Sequence, residues 1–201
     1  DLESRNFYVP GIIAMLVMLV GLMLTSMAIV REKEAGTIEQ IMVTPIQPLE
    51  FILGKCAPFA VIGFVNTAMV SAIALLWFEI PFRGSFALLL LGVALFLLST
   101  LGVGLFISTV SQTQQQAMMT TFFFFFPAML FSGFIFPIAN MPTVIQWMSL
   151  LDPLRYMLVI IRGVFLKGNG LDVLWPQFLA LALLGAALLT LSAVRFQKRM
   201  A

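Results

Sequence analysis

Five long segments of this chain contain no charged residue, and this feature restricts its fold more than any other. Each has the length of about 20 residues that a helix needs to cross roughly 30 Å of hydrocarbon. A helix satisfies its own backbone polar groups in lipid, whereas strands of a membrane barrel would alternate polar and apolar residues, which these segments do not. We therefore predict an all-α membrane protein with five transmembrane helices, at residues 10–30, 56–78, 86–110, 117–136 and 173–194.

The composition agrees with this class and excludes several others. Of 201 residues, 61% are hydrophobic and 10% are charged, whereas a soluble domain carries about 25% charged residues. Disordered chains are polar and rich in charge, so they are excluded as well. The 11 basic and 9 acidic residues nearly cancel, so no basic surface dense enough to bind nucleic acid is expected.

Several kinds of chemistry are excluded by residue type. The chain has no histidine and a single cysteine, Cys56, which excludes Ser-His and Cys-His nucleophiles, the zinc motif HExxH and a disulfide framework. A phosphate-binding GxxxxGK[ST] loop is also missing from the sequence. We therefore predict no catalytic, cofactor-binding or metal-binding residues, and no enzyme. An ion-coupled transporter or channel subunit is the alternative, but it would normally need ionisable groups inside the spans, and the five segments have none.

The basic residues indicate an orientation. Arg195, Lys198 and Arg199 follow directly after the last segment without an acidic neighbour. Because Lys and Arg favour the cytoplasmic side, we predict a cytoplasmic C-terminus and, with five crossings, an external residue 1. An external start leads us to expect a further span before Asp1.

Residues 31–55 form a long charged connection. Gly36 is suited to end the first helix, and Thr37 with Gln40 fits a capping box. An apolar stripe follows, and Pro45 then ends the pattern. We predict a short helix on the membrane surface at residues 37–44. It is either an interfacial linker with solvated charges or a docking element for a cytoplasmic partner.

Residues 137–172 are too apolar for a free external loop. Apolar residues recur at helical spacing from Val144, and Asp152 with Pro153 fits an N-cap followed by proline at the first helical position. Two short re-entrant helices are predicted, a form tolerated only against protein or a water-filled cavity. Asp152 then acts as a helix cap, while Arg155 and Arg162 either reach the interface, form an external gate or bind anionic headgroups.

The third span contains several small residues, and the fourth span contains a run of phenylalanines. Gly102 and Gly104, with Ser99 and Ser108, give the third span a small-residue face for close helix approach. Five phenylalanines precede Pro127, and around one helix they face several directions. Most are expected to contact lipid or pack. The residues expected to line a path for apolar or amphipathic compounds are Phe122, Phe124, Phe126 and Pro127.

The charged connection resembles the loop that characterises ABC-2 type transporter permeases. The matching residues read REKEAGTIEQIMVTP at positions 31–45. A second stretch from Pro142 through Trp147, Asp152 and Tyr156 to Gly163 is similar to the same family. The subtype looks like the bacterial drug-efflux permeases, in which a large external domain lies between the first two of six spans. The five spans here would correspond to the second to sixth.

The resemblance implies a permease subunit of an ATP-driven exporter of hydrophobic or amphipathic compounds, located in the cytoplasmic (inner) membrane. ATP and Mg would be bound by separate ATPase subunits beneath it, and a second permease copy or homologue would complete a dimer in the lipid. The residues expected to couple to the ATPase are Glu32, Glu34, Gly36, Thr37, Glu39, Gln40, Thr44 and Pro45. Those expected at the external gate are Pro142, Trp147, Asp152, Pro153, Arg155, Tyr156, Arg162 and Gly163.

Overall fold

The computed structural model describes residues 2–37 and 48–200, and every regular element within these ranges is helical. The eight α-helices of the described ranges are α1 Leu2–Ser26, α2 Ala28–Glu34, α3 Pro48–Leu76, α4 Phe86–Val110, α5 Gln114–Phe131, α6 Thr143–Met148, α7 Pro153–Arg162 and α8 Leu171–Met200. Short 3-10 turns occupy Ile138–Asn140 and Ser149–Leu151, and a π-helical turn spans Gly163–Lys167. The predicted helix at residues 37–44 lies outside the described residues except for Thr37.

Four helical segments in the described ranges are long and apolar enough to cross a membrane. They are Tyr8–Glu34, Ile52–Leu76, Phe86–Val110 and Leu171–Arg195. The prediction of an all-α membrane protein is thereby confirmed. The predicted segment 86–110 coincides with α4.

Helix α5 is shorter than the segment predicted at 117–136. It has 18 residues, begins with three glutamines and is not among the four candidate spans. It ends at Phe131, and Gly133 follows with a φ of 85°, a left-handed conformation that glycine adopts beyond helix ends. The apolar residues up to Phe136 therefore do not extend the helix, and the crossing by this segment stays a prediction.

The long helix α4 lies at the centre of the fold. It packs against α8 on one side and against α1 on the other. Phe96 and Leu97 are buried. A Cβ atom at Gly102 would lie 2.9 Å from the Leu188 Cβ of α8, and one at Gly104 would lie 2.7 Å from the Thr25 Cβ of α1. The small residues of α4 therefore allow close packing against two different helices, α8 and α1, and do not form a single face.

Replacing Gly104 with alanine is expected to destabilise the protein by about 1–3 kcal/mol, because the added methyl group would force α4 and α1 apart. The measurement is thermal unfolding of the full-length protein in detergent. Gly54→Ala is the matched control: no atom lies within 4 Å of a Cβ there, and alanine is about 0.5–1 kcal/mol better than glycine in a helix. Equal effects of both substitutions would contradict the close contact at Gly104.

Helices α6 and α7 form a sharply bent pair. The segments Thr143–Leu151 and Pro153–Lys167 meet at 84°. Neither α6, with 6 residues, nor α7, with 10 residues, is long enough to cross a bilayer alone. The predicted helix start at Asp152 and Pro153 is confirmed, because the Asp152 side chain accepts a hydrogen bond from the Leu154 N–H.

Candidate functional site

The charged residues Arg31–Glu34, here called the REKE segment, lie on the short helix α2. The helical path is interrupted at Met27, which does not cap α2 with its side chain. Instead the Ser108 Oγ of α4 accepts hydrogen bonds from the Ile29 and Val30 N–H groups at 3.0 and 3.2 Å. Because the first N–H groups of a helix lack partners within it, this hydroxyl satisfies two of them and fixes α2 against α4.

Lys33 binds the C-terminal end of α4. Its Nζ donates hydrogen bonds to the carbonyl oxygens of Ser108 at 3.2 Å, Thr109 at 3.0 Å and Ser111 at 3.0 Å. The last carbonyls of a helix lack intrahelical partners and carry partial negative charge. The half-buried ammonium group therefore closes this helix end.

Glu34 binds the N-terminal end of α5. Its carboxylate accepts a hydrogen bond from the Gln114 N–H at 2.8 Å and a second one from the Gln114 side-chain amide. Thr113 caps the same helix, because its Oγ1 accepts from the Gln116 N–H at 3.1 Å. A carboxylate is favoured at a helix N-terminus, although the exposure of Glu34 to solvent keeps the energy of this contact modest.

Glu32 connects α2 with α3. Its carboxylate accepts hydrogen bonds from the Lys55 ammonium group of α3 and from the Thr37 hydroxyl. Gly36 has a φ of 71°, and the Gly36 and Thr37 N–H groups donate to the Lys33 and Glu32 carbonyls at 3.2 and 3.1 Å. This is the Schellman arrangement that ends helices at glycine, so the predicted helix end at Gly36 is confirmed.

Three consecutive side chains thus contact three different helices. Successive residues of a helix point about 100° apart, which lets Glu32, Lys33 and Glu34 reach α3, α4 and α5, respectively. The sequence prediction missed Lys33, whose only local signal is its position between two acidic residues. It also missed the partners Ser108 and Gln114. Four other predicted coupling residues lie outside the described ranges, namely Glu39, Gln40, Thr44 and Pro45.

The residues predicted at an external gate surround the bend between α6 and α7. The Arg155 Nη1 donates to the Ser149 Oγ at 2.6 Å and to the Gln146 carbonyl at 3.4 Å. The Tyr156 hydroxyl donates to the Leu150 carbonyl at 2.9 Å. These bonds fix α7 to the preceding turn.

The other predicted gate residues differ in exposure. Asp152, Pro153 and Gly163 are buried, and Arg162 is half-buried. Pro142 is exposed, and so is Trp147 with 70% of its surface. The structure therefore assembles most of the predicted gate residues in one bent region, and their gating role stays a prediction.

The phenylalanine run of α5 faces several directions, as expected. Phe125 is buried, while the Phe122 and Phe126 rings stack with centroids 6.3 Å apart. Phe124 and Pro127 line a groove, and so does Phe123, which the prediction left out. Phe122 and Phe126 do not line that groove.

Comparison with known proteins gives consistent matches over most of the chain. A family model described as ABC-2 type transporter matches residues 2–166. The chain is 33% identical over 191 residues to "Probable multidrug ABC transporter permease YbhR" of Escherichia coli strain K12, covering 93% of this chain and 52% of the relative. It is 30% identical over 213 residues to "Inner membrane transport permease YhhJ" of the same strain, covering 98% and 56%.

A more distant match is "ABC transporter G family member 20" of Dictyostelium discoideum. It is 24% identical over 176 residues, which cover 87% of this chain and 24% of the relative. The chain spans about half the length of the two bacterial relatives. With a family model that matches well over half of its residues and with several apolar helices of spanning length, this chain is a multi-pass membrane protein and belongs to the ABC-2 type transporter family.

Proposed function

We propose that this chain is the transmembrane part of a permease subunit in an ATP-driven exporter of the cytoplasmic membrane. Separate ATPase subunits would bind ATP and Mg and dock beneath it, with the C-terminus of this chain in the cytoplasm. Two permease copies, or one copy and a homologue, would form the pathway. The names of the bacterial relatives support a permease, and one of them contains the word multidrug, which favours hydrophobic or amphipathic cargo.

The observation that carries this proposal is the set of contacts made by the REKE segment. It contains two of the residues expected to couple to the ATPase, Glu32 and Glu34, and directly precedes the others. It is bonded to α3 through Glu32, to α4 through Lys33 and to α5 through Glu34. A displacement of residues 37–45 would therefore act on three helices together. In this proposal, ATP-driven closure of the ATPase pair moves these helices and opens the region around the α6–α7 bend.

Affinity purification tests the proposed partner. The full-length permease, extracted in mild detergent from its own membranes, is expected to retain a cassette ATPase, and Glu39→Lys is expected to reduce that retention about tenfold, equivalent to about 1.4 kcal/mol. A reversed charge at a docking surface creates like-charge repulsion or removes an ion pair.

Asp172→Lys in the first turn of α8, at the predicted external end, is the matched control and should leave retention unchanged. Failure to retain any ATPase, or equal loss in both variants, would contradict the proposal.

A further inference from the structure

A groove of about 680 Å³ lies between α4, α5 and α8, next to the turn that follows α6. Its walls are apolar and include Val103 and Ile107 of α4, Phe123, Phe124 and Pro127 of α5, and Leu191 of α8. This volume is within the range of roughly 300–1,000 Å³ that is typical of sites for drug-sized ligands. The size and chemistry of the groove therefore suit a compact hydrophobic molecule.

One charged residue, Asp152, contributes to the lining of this groove. The residue is only 7% exposed. Its Oδ1 accepts a hydrogen bond from the Leu154 N–H at 3.0 Å, whereas its Oδ2 is buried and has no hydrogen-bond partner among the residues that the structure describes. A buried carboxylate oxygen without a partner is costly. This position therefore favours a ligand that brings a positive charge.

Arg155 follows Asp152 by three residues in the sequence, but its guanidinium group donates hydrogen bonds to other residues. The Arg155 Nη1 donates to Ser149 and Gln146. The ion pair between Lys55 and Glu32 lies far along the sequence from Asp152. The positive charge of Arg155 makes the electrostatic potential near Asp152 less negative, so the attraction of Asp152 for a cation is expected to be moderate.

We propose that this groove binds a hydrophobic organic cation, with its apolar body between Phe124 and Leu191 and its charge beside Asp152. The apolar walls provide contact area for the body of the ligand. The buried Oδ2 of Asp152 provides an unpaired acceptor for its positive charge. A role of this groove in transport rests on the function proposed above. Binding of a cation in the groove does not depend on that function, so the test measures binding alone.

Tetraphenylphosphonium and tetraphenylborate are suitable probes, because they have nearly the same shape and opposite charges. Binding to the purified full-length protein is measured by equilibrium dialysis in detergent at pH 8.5, since burial disfavours the ionised form of a carboxyl group. The protein is expected to bind the cation more tightly than the anion. Asp152→Asn keeps a side-chain oxygen to cap α7 and is expected to weaken cation binding about tenfold, equivalent to about 1.4 kcal/mol, without weakening anion binding.

Asp172→Asn is the matched control for the charge, because Asp172 is exposed at the start of α8 and does not line the groove. A second pair of variants tests the position of the site. Leu191→Trp would narrow the groove, whereas Leu183→Trp lies on the same helix, is similarly exposed and is outside the lining. Only the former is expected to weaken binding, by about tenfold, equivalent to about 1.4 kcal/mol.

Three results would overturn the proposal. One is the absence of saturable cation binding to the full-length protein. This result would follow if a further helix or a second copy covered the groove. Another is an equal loss for both probes in Asp152→Asn, and the third is unchanged binding in Leu191→Trp. Specific cation binding by a protein that retains no ATPase would support the groove and contradict the transport proposal, so the two failures are distinguishable.

Discussion

Replacing Lys33 with methionine is expected to lower the free energy of unfolding by about 2 kcal/mol, because it leaves the C-terminal carbonyls of α4 without the ammonium group that they bind. The midpoint of thermal unfolding should fall by roughly 5 °C. Methionine retains the apolar stem of lysine, so the loss reports the charge and its hydrogen bonds. The measurement is thermal unfolding of the full-length protein in detergent.

Arg31→Met is the control for this substitution. Arg31 lies on the same short helix and is exposed, so the loss of its charge should change stability by less than about 0.5 kcal/mol. Lys33→Arg should recover part of the stability, because a guanidinium group also donates to carbonyl oxygens. Equal destabilisation by Arg31→Met and Lys33→Met would show that Lys33 contributes only net charge and would contradict its role at the end of α4.

Replacing Glu34 with alanine is expected to reduce ATP-driven export about tenfold, and replacing Gln114 with alanine is expected to reduce export by a smaller factor. Glu34→Ala removes both hydrogen bonds that join α2 to the start of α5, whereas Gln114→Ala removes the side-chain bond and leaves the Gln114 backbone N–H to donate to Glu34. If the two residues act through one contact, the double variant should export no less than Glu34→Ala alone, since the energies of residues that share a contact do not add. Export is measured in membrane vesicles containing the full-length permease and its ATPase.

Retention of the ATPase distinguishes this internal role from direct docking. All three variants are expected to co-purify with the ATPase as the unmodified protein does, and Gln115→Ala, an exposed neighbour, should leave both export and retention unchanged. The family resemblance placed Glu34 among the residues that meet the ATPase. If Glu34→Ala alone released the ATPase, Glu34 would be a docking residue, and the internal connection to α5 would be wrong.

Local sequence rules predicted those elements whose ends depend on neighbouring residues. The bounds of α4 follow from an uninterrupted apolar segment between Ser85 and Ser111, which are its N-cap and C-cap residues. The start of α7 follows from Asp152 and Pro153, whose roles in a helix start depend on the local backbone. The helix end at Gly36 has the same local origin.

The remaining features depend on contacts between distant parts of the chain. The break at Met27 is stabilised by Ser108, which lies 79 residues from Ile29 in sequence. Lys33 likewise binds carbonyls at least 75 residues away, and the neighbouring sequence identifies the partner in neither case. The predicted segment extends beyond the end of α5 because the apolar sequence continues to Phe136, whereas the backbone turns at Gly133.

The most direct test of the account is transport by the purified full-length permease in liposomes, with and without its ATPase. In the proposed mechanism, this subunit moves cargo only when a nucleotide-hydrolysing partner acts on the REKE segment and the residues that follow it. We predict export of a hydrophobic fluorescent compound only when both the ATPase and ATP are present. Transport by the permease alone, driven by an ion gradient, would contradict the account.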